Sequence, residues 1–272
     1  MSRFLSASAV TGAAVAVTVA TGLSPVGLAS SAAAATSVNY VALGDSYSSG
    51  VGAGSYISSS GSCDRSTNAY PEQWADAHSP ASFTSVACSG ATTSDVLSSQ
   101  VSALTSSTTL VSITIGGNDA GFSSVMETCV LESDSSCLSA ISSAESFIAN
   151  TLPGRLSTVL QTIHADAPSA RVVVLDYPDL YDLSKSNSCI GLSTTKRTAL
   201  NQGADDLDSV ISTAAKNNGD VFADVRGQFS GHEICDSGSW LNSVTIPIGN
   251  SYHPTASGQE DGYLPVFSGS AG

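Results

Sequence analysis

Basic side chains are scarce in this chain: nine Lys plus Arg stand against 23 Asp plus Glu, for a formal net charge of −14 over 272 residues. A chain this acidic repels phosphate backbones and strongly anionic membrane surfaces, which argues against a nucleic-acid partner. Charge of either sign is thin, at 12% of residues, and Ser, Thr, Gly and Ala are abundant in its place. Cys-x-x-Cys pairs are missing, so no metal or other cofactor is expected. Internal repeats and linkers are also missing, and nothing after the first part of the chain approaches the roughly 20 apolar residues of a membrane span.

The first apolar stretch, from about Ala9 to Leu23, is short and interrupted by threonines, with Arg3 before it and Ala32 to Ala35 after it. Basic, apolar and small-residue segments in that order predict a secretory signal over residues 1–35, cleaved near Ala35. Residues 36–272 then form a single extracellular domain with a full-sized core, expected to be a monomer. All six cysteines fall within it, and an even count in an exported protein predicts three disulfides. The sequential pairing is expected, Cys63 with Cys88, Cys129 with Cys137 and Cys189 with Cys235, because each bridge then closes a local loop.

Five short β-branched runs begin near Val38, Ser82, Thr109, Ala170 and Asp220, and the third and fourth are almost continuously apolar, as strands covered on both faces are. Segments with helical spacing lie between them: one around Trp74, one starting at Thr93, a long one broken at Pro153, and one ending on Gly219. This alternation predicts a parallel sheet with helices on both faces, and places ligands beyond the carboxyl ends of the strands.

The loops after the first three strands carry candidate chemistry. "GDSYSSG" presents Ser46 directly after a strand, although Asp45 or Ser46 could equally be a helix cap. "CSGATTSD" contains Gly90, where a backbone N–H can approach a ligand, and "GGNDAGF" contains Asn118, whose amide can donate to a developing oxyanion. Late in the chain, "GNSYHPTASG" offers His253 as a base. His78 and His164 lie near helix ends and suit the dipole there, His232 lies in a loop near Cys235, and Trp74 and Trp240 read as packing residues.

These four blocks, in this order, resemble those of the SGNH (GDSL-type) hydrolases over essentially the whole mature chain. The likeness is greatest to secreted actinobacterial members, among them lipases, esterases and phospholipases A1 carrying three disulfides. The resemblance implies a three-layer α/β/α fold, flavodoxin-like, with a five-stranded parallel sheet, and ester hydrolysis through an acyl-enzyme. It makes Ser46 the nucleophile, His253 the general base, and the oxyanion hole the N–H groups of Ser46 and Gly90 with the Asn118 amide. Asp45 and Asp119 are then structural.

One position departs from the pattern. Many members have Asp three residues before the histidine, and this chain has Asn250. An Asn favours the wrong imidazole tautomer, whereas a carbonyl only accepts and so keeps the proton on Nδ1. A main-chain carbonyl of Ser251 or Asn250 is therefore expected to orient His253, with Asp236 as the carboxylate alternative. The expected substrate is a lipid acyl ester. Short-chain or carbohydrate esterase activity, or a binding module that has lost the chemistry, are the competing readings.

Overall fold

Each β-branched run forms a strand: β1 (Asn39–Gly44), β2 (Ser82–Ser85), β3 (Leu110–Thr114), β4 (Arg171–Leu175) and β5 (Val221–Ala223). In the computed structural model they make one fully parallel sheet in the order β2-β1-β3-β4-β5, the flavodoxin-like order. Every residue of β3 is buried, and so is all of β4 after Arg171, which accounts for their unbroken apolar character. The structure describes residues 8–16, 37–185 and 189–272. The chain divides into two units, Met1–Thr36 and Ser37–Gly272. Residues 8–16 have no helix or strand; the rest of the expected leader, including Ala35, lies outside the described residues.

The helices follow the strands. Short α1 (Ser46–Ser49) comes directly after β1, and α2 (Tyr70–His78) lies on the sheet through Trp74, which packs edge-on against Tyr40 at 5.3 Å. The expected helix from Thr93 is α-helical only over α3 (Thr93–Asp95), capped by Thr92; it then widens into a π turn over Val96–Gln100. The widened turn carries Gln100, whose side chain makes contacts with β1 described below.

Next come α4 (Phe122–Leu131), α5 (Asp134–Asn150) and α6 (Leu152–Asp166). The break expected at Pro153 falls at Thr151, because proline is tolerated in a first turn, where its missing N–H has no partner to lose. The 25-residue α7 (Thr194–Asn218) stops on Gly219 at φ 81°. Short α8 (Arg226–Phe229) and terminal α9 (Leu264–Ala271) complete the chain. Phe267 of α9 stacks on Tyr40 at 5.4 Å, so α2 and α9 share one face of the sheet while α6 and α7 cover the other. Among the described residues no helix is long and apolar enough to cross a membrane.

The cysteines pair as Cys63–Cys88, Cys129–Cys137 and Cys189–Cys235. Thiol titration of the unfolded, unreduced protein should find no free cysteine. Reduction should lower the urea midpoint, each bridge contributing about 2–4 kcal/mol; an unchanged midpoint would mean the bridges add nothing to stability.

Candidate active site

Strand order reverses between β1 and β3, with β2 outside β1 and β4 beyond β3. A switch point of this kind opens a crevice at the carboxyl ends of the two strands. Ser46 enters it from the end of β1, and Asn118 from the loop after β3. Gly44 makes the turn at φ 122°, where a Cβ would fall 2.5 Å from Thr114 O and 2.9 Å from Ser48 Oγ. The side chain of Gln100 grips this glycine at both ends, accepting from its N–H at 2.7 Å and donating to its carbonyl at 2.8 Å.

Asp45 caps α1 from a fully buried position. Its Oδ1 accepts from Tyr47 N–H at 3.0 Å and Thr114 Oγ1 at 2.8 Å, and its Oδ2 from the Tyr177 hydroxyl at 2.5 Å. Burial pushes its pKa up to about 6, against the opposing pull of these three donors. The same Tyr177 oxygen accepts from Gly117 N–H at 3.2 Å, which links the turn before Ser46 to the loop that carries Asn118.

His253 arrives from the other end of the chain. Ser46 Oγ lies 2.8 Å from its Nε2, and its Nδ1 lies 3.0 Å from the Ser251 carbonyl. A carbonyl can only accept, so the proton sits on Nδ1 and Nε2 is free to take one from the hydroxyl. Asn250 is otherwise engaged: its Oδ1 accepts from the Tyr56 hydroxyl at 2.9 Å, and its carbonyl accepts from His253 N–H at 3.3 Å. Of the two candidate carbonyls, that of Ser251 faces Nδ1. Asp236 accepts from Lys185 Nζ at 2.5 Å and is not the partner of Nδ1. Tyr47 joins the two segments, its hydroxyl donating to the Tyr252 carbonyl at 2.7 Å. Burial lowers the His253 pKa to about 4, only partly offset by the carbonyls of Ser251 and Gly249.

The three expected donors lie on the segments that follow β1, β2 and β3. Its own N–H is in the first turn of α1, where a helix has no internal acceptor for it. Gly90 is exposed at φ 78°. Asn118 Nδ2 gives one proton to the Ala91 carbonyl at 2.9 Å, which leaves its second available to a ligand. Asp119 fixes that loop, accepting from Thr93 N–H at 2.8 Å, Thr93 Oγ1 at 2.6 Å and Arg155 Nη1 at 3.2 Å.

Beside Ser46 an apolar cleft of about 750 Å³, counting solvent at its mouth, runs between α4, α5 and α7. Phe122, Val125, Ile141, Ile148, Leu200 and Leu207 are among its walls. The remaining histidines are engaged elsewhere. His78 stacks on Trp74 at 4.3 Å, His232 stacks on Trp240 at 3.7 Å, and His164 lies 2.7 Å from Asp220 Oδ1.

The profile of the GDSL-like lipase/acylhydrolase family matches residues 42–260. The chain belongs to this family. Its members are carboxylic ester hydrolases, and this chain is one of them. It is 58% identical to lipase 1 of Streptomyces coelicolor, over 89% of this chain and 90% of that one. With the lipase of Streptomyces rimosus it shares 52% identity over 97% of this chain and 98% of that one. The crystal structure of phospholipase A1 from Streptomyces albidoflavus superposes with a TM-score of 0.84 at 56% identity, covering 86% of this chain and all of that one.

Sequence reading missed the residues that support the hydrolase site: Gln100, Tyr177, Thr114 and Gln259. Gln259 is fully buried, accepting from Tyr70 N–H at 2.9 Å and donating to the Tyr47 carbonyl at 3.0 Å. No local signal marks them, since their partners are far away in sequence.

The His253 geometry has a direct consequence. NMR titration should find the ring neutral, with its proton on Nδ1, from pH 8 down to about pH 4. Because the folded pKa lies below the unfolded value, the unfolded chain binds the extra proton first, so this group's contribution to stability is lost as pH falls from about 6.5 toward 4. A midpoint near the ordinary histidine value would refute the buried, carbonyl-held ring.

Proposed function

We propose that the hydrolase is a secreted monomer that cleaves lipid acyl esters, as a phospholipase A1 or lipase, through a Ser46–His253 dyad. Extracellular location rests on the leader-like N-terminus, and on likeness to an extracellular lipase of Streptomyces rimosus at 54% identity. The lipid preference rests on the names of the relatives and on the apolar cleft, which suits an acyl chain.

The observation that carries the mechanism is the pair of contacts on one ring, 2.8 Å to Ser46 Oγ and 3.0 Å to a carbonyl that can only accept. His253 Nε2 takes the serine proton as Oγ attacks the acyl carbonyl. The oxyanion is met by the N–H groups of Ser46 and Gly90 and the free Asn118 proton, each donor typically worth about 10²–10³ in rate. Collapse expels the alcohol, which takes the proton from Nε2, and water then repeats the sequence on the acyl-enzyme. No step calls for a cofactor.

Ser46→Ala or His253→Ala should cost about 10⁴-fold or more in kcat with the fold retained. Asn250→Ala should stay within about fivefold; a loss near 10⁴-fold would make its side chain the orienting group. A panel of phospholipid positional isomers, triacylglycerols and acetylated sugars should show the highest kcat/KM on the lipid esters. Preference for acetylated sugars would overturn the lipid assignment.

A further inference from the structure

Two stretches with no ionic side chain meet beside the site. Residues 46–62 and 237–259 contain no Asp, Glu, Lys or Arg, in a chain of net charge −14. They are joined by hydrogen bonds: the Tyr56 hydroxyl donates to Asn250 Oδ1 at 2.9 Å and accepts from Gly52 N–H at 2.9 Å, while Asn242 Nδ2 donates to the Gly52 carbonyl at 3.3 Å. In this uncharged apron large apolar side chains stand in water, with Ile246 94%, Ile248 71%, Val244 50% and Tyr56 40% exposed. Scattered exposed apolar residues are ordinary; four on two adjoining loops at one rim are not.

The loop is braced rather than loose. Thr245 N–H donates to Ser251 Oγ at 3.0 Å, and Ser251 N–H donates to the Ile248 carbonyl at 3.0 Å. Its position in the chain ties it to the chemistry, since Ser251, which anchors Thr245, also supplies the carbonyl on His253.

We propose that Val244, Ile246, Ile248 and Tyr56 form the surface on which the hydrolase sits on a zwitterionic lipid aggregate, bringing the site to the headgroup layer. The inference rests on the lipid-ester reading above. Charge selects the partner. An apron without ions is matched to a surface without net charge, and the acidic remainder of the protein is repelled by anionic headgroups. A second copy is the poorer occupant, because four side chains on two loops fall short of the roughly 800 Å² per partner of a standard interface. Apolar side chains inserted into the headgroup boundary need no such area, since binding there grows with each one buried.

The test compares the protein with Ile246→Ser/Ile248→Ser on phosphatidylcholine vesicles and on a short-chain p-nitrophenyl ester in free solution. The double variant should sediment with vesicles at least tenfold more weakly, measured in a Ser46→Ala background, and hydrolyse them at least tenfold more slowly. Its kcat/KM on the soluble ester should remain within twofold. Ile246→Trp should bind vesicles more tightly, with indole emission shifting to the blue on binding. Equal loss on both substrates would overturn the proposal by making the loop a support for His253. Unchanged vesicle binding would overturn it too, as would a concentration-dependent dimer that the double variant abolishes. If the protein binds vesicles through the isoleucines yet hydrolyses no ester, the docking surface stands and the proposed function falls.

Discussion

The buried carboxylate of Asp45 holds together the ends of three strands. Through Tyr47 N–H it fixes the turn out of β1, through Thr114 Oγ1 the end of β3, and through the Tyr177 hydroxyl the segment after β4. Burial disfavours its charge strongly enough to raise its pKa to about 6 despite three donors. At neutral pH it is ionised and needs all three, so removing one leaves a charge under-satisfied in the interior. The position of Ser46 therefore depends on a group that takes no part in proton transfer. Tyr177 extends the same constraint to Gly117, so the proposed nucleophile and the Asn118 donor share one anchor.

A second economy of charge appears at His253. With a carboxylate on Nδ1, a site this buried would hold another desolvated anion close to Asp45. The Ser251 carbonyl orients the ring without one, through a dipole already fixed by the backbone. What is given up is the stronger stabilisation of an imidazolium that an anion provides. The low pKa of about 4 fits that arrangement: the ring is well oriented but poorly stabilised when charged. Asn250, where the family resemblance leads one to expect Asp, instead pins the Tyr56 loop against the histidine loop.

The sheet was legible because its strands are β-branched runs buried on both faces, and that pattern does not depend on distant partners. The four blocks around Ser46, Gly90, Asn118 and His253 were legible because each follows a strand or stands alone in a loop. Three helices were not anticipated: α4, the single turn of α8, and α9. In α4 serines interrupt the apolar spacing, and in α9 the run "SGSAG" looks like a loop until Phe267 is seen packed under Tyr40. The supporting amides were out of reach for another reason. Gln100 and Gln259 are polar residues whose burial is meaningful only beside Gly44, Tyr47 and Tyr70, and the fold alone creates those contacts. The same holds for the carbonyl on Nδ1. Chemistry reduced the candidates to two residues, and backbone geometry chose Ser251.

The disulfides fit this division between a rigid sheet and loops that carry the site. Cys63–Cys88 is two residues from Gly90, and its loop is further tied by Ser89 N–H to the Cys63 carbonyl at 3.1 Å and Cys88 N–H to the Gly44 carbonyl at 3.0 Å. Cys129–Cys137 joins α4 to α5, two walls of the apolar cleft. Pre-organised donors stabilise a transition state only if they do not have to move into place. An exposed glycine at φ 78° has no side-chain packing to hold it, so covalent and main-chain ties must do so. On this reading the Cys63–Cys88 bridge contributes to the placement of the proposed oxyanion donor as well as to stability.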